Sequence, residues 1–188
     1  KAVGAPDLRS GRRMGESFPV QWVEIEHPER GVDANNGPRG VVQQGLAQGG
    51  SRFTRLEGCI VGDGRVYFTA TNGGDAGCGQ VWAYVPGAER LELVYESPDP
   101  LVLDYPDNVV LSPRGGMVIC EDSEQPVQRL YGMTREGGLF EFCRNNVRLD
   151  GAMGFAGDFR EDEWAGACFS PDGKWLFATV YSPGFTVA

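Results

Sequence analysis

Three acidic residues, Glu57, Asp107 and Glu163, each stand just ahead of a short apolar run, a Gly-containing turn and a second apolar run. The segments read Glu57-GCIVGDGRVYFTAT, Asp107-NVVLSPRGGMVICED and Glu163-WAGACFSPDGKWLFATV. A carboxylate is costly to bury unless a cation neutralises it. A radial β-repeat brings equivalent positions from successive units around one axis, where a hard metal ion suits a set of oxygen donors. Asn108, beside Asp107, adds a neutral oxygen of the kind calcium accepts alongside carboxylates. Arg55 precedes Glu57 by two residues and shares its face in an extended segment. A guanidinium so placed suits a bidentate grip on phosphate oxygens.

Each residue also has a plainer reading. Glu57 and Asp107 could cap turns or pair with nearby arginines, and Pro106-Asp107-Asn108 could be a turn in its own right. Glu163 closes the acidic run Glu161-Asp162-Glu163, a pattern typical of solvated loops. Glu121-Asp122, at a strand end, reads either as a pair facing the axis or as a loop entry. Recurrence in three units favours the metal reading.

The elements that must position these groups are β-strands. Residues 1–17 are polar and glycine-containing and read as an irregular lead-in. FPVQWVEIEHPE (18–29) alternates around Trp22-Val23-Glu24-Ile25 and predicts a short strand or extended segment. GVDANNGPRG (31–40) is loop chemistry, and VVQQGLAQGGSRF has room for one or two helical turns. From Arg55 onward, runs rich in Val, Ile, Phe, Tyr and Trp alternate with turn signals. The hairpin glycines Gly64, Gly115 and Gly173 lie 51 and 58 residues apart. Four strands in each such unit are the signature of a propeller blade. The fold class expected is all-β, about two and a half blades of a partial β-propeller, with a β-sandwich as the competing architecture. A ring needs at least about four blades, so the expectation is a piece of a longer protein. Cys59, Cys120 and Cys168 fall in the apolar runs and read as small core residues. The aromatics Trp82, Tyr84, Phe140 and Phe142 read as blade core.

Composition bounds the function. The 188 residues suffice for one domain with a substantial core, and 41 % hydrophobic with 23 % charged residues fits a soluble globular chain. A net charge of −9 argues against nucleic acid and anionic lipid as partners. No apolar stretch approaches the roughly 20 residues of a membrane span. The five cysteines form no CxxC pair, which argues against zinc. The glycine-rich 73–79 lacks the strand–helix context and lysine of a phosphate loop, and the single His27 supports no Ser-His-Asp arrangement.

The elements FTRLEG, DGRVYFTAT, GQVWAYVP, LDYPDNVVLSPRGGMVICED and EWAGACFSPDGKWLFATVYSPG, in that order, resemble the C-terminal part of the PhoX-type alkaline phosphatases. The resemblance covers residues 18 to 188, and its weight rests on RLEG, PDN and CED. It implies a six-bladed propeller carrying Ca2+ and Fe3+ in a central channel and hydrolysing phosphate monoesters in the periplasm or outside the cell, as a monomer when full length. On that resemblance Arg55 contacts substrate phosphate, while Glu57, Asp107, Asn108 and Glu163 bind metal. Glu121 of CED is a further metal ligand if it, and not its neighbour, faces the channel. The family's iron also takes a cysteine thiolate and carboxylates from an N-terminal half that no segment here matches, so this chain alone is expected to bind calcium poorly and to be inactive. Two other readings compete: a calcium-dependent propeller lactonase or esterase, and a non-enzymatic propeller that binds partners through its loops.

Overall fold

A computed structural model of the chain describes residues 1–31 and 40–188. Among them, fourteen strands form four antiparallel sheets, with one short helix and two 3-10 turns. In the first sheet β2 (Leu56–Gly62), β3 (Arg65–Ala70), β4 (Gln80–Val85) and β5 (Arg90–Glu96) follow one another as a meander. A short strand, β1 (Ser17–Pro19), pairs with β5 and covers the outer edge. The second sheet is β6 (Pro106–Leu111), β7 (Met117–Glu121), β8 (Arg129–Met133) and β9 (Leu139–Arg144). A hairpin of β10 (Arg148–Asp150) and β11 (Ala156–Asp158) leads to the third sheet, β12 (Trp164–Phe169), β13 (Leu176–Val180) and β14 (Phe185–Val187).

Local chemistry accounts for the hairpins. Gly62 pairs with Arg65 across a two-residue loop, Asp63-Gly64, in which both φ angles are positive. That is the turn whose twist matches paired strands, and Asp-Gly is among its preferred dipeptides. Because side chains alternate across a strand, a sheet covered on both sides reads as a continuous apolar run. Every residue of β7 is buried accordingly. Ile119, Val109, Val81, Tyr95 and Leu103 pack between the first and second sheets. Val118, Leu130, Trp164, Ala178 and Val180 pack between the second and third.

The far face of the first sheet is covered by the start of the chain. Ala2, Ala5 and Leu8 are buried against Trp82, Leu91 and Leu93. The lead-in is thus irregular in backbone but part of the core. The strand expected around Trp22–Ile25 does not form; pairing ends at Val20, and Trp22 packs edge-on against Tyr84 with most of its ring exposed. The helical turns form as α1 (Val41–Ala47). Of the expected loop 31–40, residues 32–39 lie outside the described residues. Phe140 and Phe142 correct an expectation: they share one face of the edge strand β9 and are about half exposed. Phe140 lies over Gly132 of the adjacent β8, where a Cβ would collide with its ring. Of the cysteines placed in the core, only Cys120 is buried; Cys59 and Cys168 are exposed, and all five are free thiols.

One irregularity recurs in the first strand of each large sheet. Glu57-Gly58 stand opposite the single residue Thr69, Asp107-Asn108 opposite Cys120, and Gly166-Ala167 opposite Ala178. These are β-bulges, which bend a strand and re-aim its side chains. The two inner strands β2 and β6 also pack together through their backbones. Gly58 faces the Asp107 carbonyl, and a Cβ on it would collide with that oxygen and come within 3.0 Å of Asn108 Cα and Val109 N. Gly58→Ala is therefore expected to destabilise the chain by about 1–3 kcal/mol through overpacking against backbone. Gly87→Ala, at a glycine with open space around it, is the control expected to change little; urea denaturation compares the two.

Candidate functional site

The Glu57-Gly58 and Asp107-Asn108 bulges lie side by side where β2 packs on β6, and buried hydroxyls lock them. The Gly58 N–H donates to Thr69 Oγ1 at 2.9 Å, and that hydroxyl donates to the Asp107 carbonyl at 2.7 Å. Thr71 Oγ1 donates to the Pro106 carbonyl at 3.1 Å. Both threonines are fully buried. A threonine can serve as acceptor and donor at once, so Thr69 bridges the two strands within one hydroxyl. The backbones carrying Glu57 and Asp107 are held in fixed relation.

Five charged side chains meet at this end of the strands. The Arg55 Nε lies 3.8 Å from Glu57 Oε1, and its Nη2 lies 3.7 Å from Asp122 Oδ2. All three are between one-third and one-half exposed, so the group opens to solvent. Asp107 is held above its ordinary pKa by burial and by the charges of Glu57 and Asp122, against the opposing pull of Arg55. Glu163 is pushed up to about 7 by burial, then by a hydrogen bond shared with the Asp122 carboxyl and by the charges of Asp122, Asp107 and Glu57. Like charges sharing one site cannot all ionise cheaply. Four carboxylates therefore stand against one guanidinium.

The structure thus brings together Arg55, Glu57, Asp107 and Glu163. Asn108 occupies the second place of the Asp107 bulge and is partly buried. Glu163 enters from a different level, three residues ahead of its own strand's bulge, where its carbonyl accepts the N–H of Tyr181, the residue that follows β13. Glu121 is the correction. It is fully buried on the opposite side of the β7 end, where Arg129 binds both of its oxygens at 2.7 Å and the Asp104 N–H donates to it at 2.8 Å. Burial pushes its pKa upward, and Arg129 and the Asp104 N–H oppose that shift. Its lone pairs are committed to the fold. The residue that joins the cluster is its neighbour Asp122, because alternation sends successive side chains to opposite faces. The register that pairs Cys120 with Leu130 sets Arg129 across from Glu121.

The donor set is all oxygen, as calcium prefers. Among the described residues, however, no three acidic, Cys or His side chains stand close enough to chelate one ion as they are placed. Cys120 lies near Asp107 and Glu163, and burial pushes its thiol up to about 12. Carboxylate oxygens are hard donors, a class that suits a ferric ion as well as calcium.

Two expectations follow. Between pH 4.5 and about 7 the folded chain holds a proton on Glu163 that the unfolded chain has released. Stability falls with rising pH wherever the native state binds the extra proton. In chelator-treated protein the Glu163 contribution therefore declines across that window, and Glu163→Gln should flatten the corresponding slope in urea titrations. Arg129→Ala leaves Glu121 buried and uncompensated, and should cost about 3–5 kcal/mol, read as a fall in Tm.

Comparison with known proteins adds one positive finding. The family model for the alkaline phosphatase PhoX matches residues 9–184. No curated protein and no solved structure matches the chain. The family match spans nearly the whole sequence and contains Arg55, Glu57, Asp107, Asp122 and Glu163. This chain belongs to the PhoX family of alkaline phosphatases.

Proposed function

We propose that the chain supplies part of the active site of a calcium-dependent phosphatase acting on phosphate monoesters, built on successive blades of a β-propeller. The observation that carries this reading is the meeting of Arg55 with Glu57, Asp107, Asp122 and Glu163 at one open end of adjoining sheets. The blade arrangement is supported by two four-strand meanders, β2–β5 and β6–β9, and a third of three strands, β12–β14, with β6 packing on both β2 and β12.

Glu57, Asp107, Asp122 and Glu163 would hold calcium, with Asn108 as a neutral donor. When bound, the ion supplies charge stabilisation for phosphate oxygens and orients the oxygen nucleophile. The remaining work falls to the chain itself. Both ion pairs of Arg55 are longer than a hydrogen bond, so its guanidinium donors remain free to grip two phosphate oxygens in a bidentate fork. Thr69 and Thr71 fix the strand ends that carry the carboxylates.

The test pairs neighbours. Calcium titration calorimetry on the protein containing this chain, with Asp122→Asn and Glu121→Gln beside wild type, separates the two faces of the β7 end. Asp122→Asn is expected to weaken calcium by about tenfold or more, because the number of charged ligands tunes affinity over orders of magnitude. Glu121→Gln should leave calcium affinity unchanged. Equal affinity for Asp122→Asn and wild type would overturn the assignment. Hydrolysis of p-nitrophenyl phosphate by the protein containing this chain should be lost in Arg55→Ala and on calcium chelation.

A further inference from the structure

We propose that Tyr105 is a positioning residue of this site, setting where the Arg55 guanidinium sits relative to Asp122. The inference rests on the reading of Arg55 as the phosphate clamp. The guanidinium carbon of Arg55 lies 5.7 Å from the centre of the Tyr105 ring, within range of a cation–π contact. The two residues are structural equivalents, each immediately preceding the strand that carries a bulge, Leu56–Gly62 for one and Pro106–Leu111 for the other. Both adopt left-handed backbone, with φ of 42° at Arg55 and 51° at Tyr105. Such a conformation is uncommon for bulky side chains and persists where surrounding contacts impose it.

Those contacts run directly to the site. The Tyr105 N–H donates to the Cys78 carbonyl at 3.0 Å, and the Tyr105 carbonyl accepts the Asp122 N–H at 2.9 Å. In the neighbouring sheet the Arg55 carbonyl accepts the Thr71 N–H at 2.9 Å. One residue thus anchors the backbone of Asp122 and presents its ring to Arg55. The ring is what the guanidinium rests on, since neither carboxylate partner is within hydrogen-bond distance. Without it, Arg55 is free to close onto Glu57 or Asp122 and commit its donors there. With it, the fork stays open.

The experiment uses the protein containing this chain, with saturating calcium and inorganic phosphate as the probe. Tyr105→Phe keeps the ring. Tyr105→Asn removes it, yet Asn accepts left-handed backbone. Phosphate affinity should stay within about twofold of wild type in Tyr105→Phe and fall by about 3- to 30-fold in Tyr105→Asn, the range a lost cation–π contact covers. In an Arg55→Ala background, Tyr105→Asn should have no further effect. An unchanged affinity in Tyr105→Asn, or an equal loss with and without Arg55, overturns the proposal. If wild type binds no phosphate, the clamp reading fails, and the NMR signal of Arg55 Nε–H then decides the positioning role. A ring-current shift lost in Tyr105→Asn and kept in Tyr105→Phe supports it; an unmoved signal overturns it. Should Tyr105→Asn fail to fold, Tyr105→Gly, which adopts the same φ freely, takes its place.

Discussion

The Thr69 hydroxyl is the joint on which the site depends. It sits between two strands from different sheets, accepting from the Gly58 N–H and donating to the Asp107 carbonyl. Bulges leave backbone groups without ladder partners, and a buried unpaired group costs about 1–3 kcal/mol. Thr69 satisfies one such group on each side with a single atom. Gly58 completes the joint by having no side chain, which lets the β2 backbone reach the Asp107 carbonyl. Sheet packing, bulge geometry and placement of Glu57 and Asp107 are therefore one arrangement.

Charge is handled in two contrasting ways a few ångströms apart. Glu121 is fully buried and fully answered by Arg129 and the Asp104 N–H. Its partner Arg129 is further held by the Pro100 and Leu101 carbonyls and lies over the Tyr131 ring. Asp122, the next residue, stands among carboxylates with only a loosely placed Arg55 to offset them. The first arrangement stabilises the fold and leaves nothing for a ligand. In the second, burial and then like charges raise Asp107 and Glu163, and an added cation would relieve the repulsion.

Much of this was legible in the residues themselves. Asp63-Gly64 announces its hairpin, and the apolar runs from Cys59 to Val180 coincide with strands. The recurrence of Glu57, Asp107 and Glu163 ahead of those runs pointed to one shared location. What escaped the sequence has specific causes. A bulge inserts one residue without altering the apolar pattern around it, so Glu163 looked like an equivalent of Glu57 although it lies at another level. The buried run of β7 gives no polar alternation from which to decide between Glu121 and Asp122. Ala2 and Ala5 are small and lie in a short Gly- and Pro-containing stretch without strand periodicity, so their burial is invisible until Trp82 is seen beneath them. Phe140 and Phe142 show the converse, since alternation identifies a shared face but not whether anything covers it.

The three bulges have a consequence for how such a scaffold can vary. Each is confined to its own strand, and pairing resumes in regular register on either side, as at Cys59–Phe68, Val109–Ile119 and Cys168–Phe177. The doublets hold Glu-Gly, Asp-Asn and Gly-Ala on otherwise similar ladders. The first doublet divides the two tasks between neighbours: position 57 can change its ligand chemistry while the ladders stay as they are, whereas position 58, pressed against the Asp107 carbonyl, is tied to glycine.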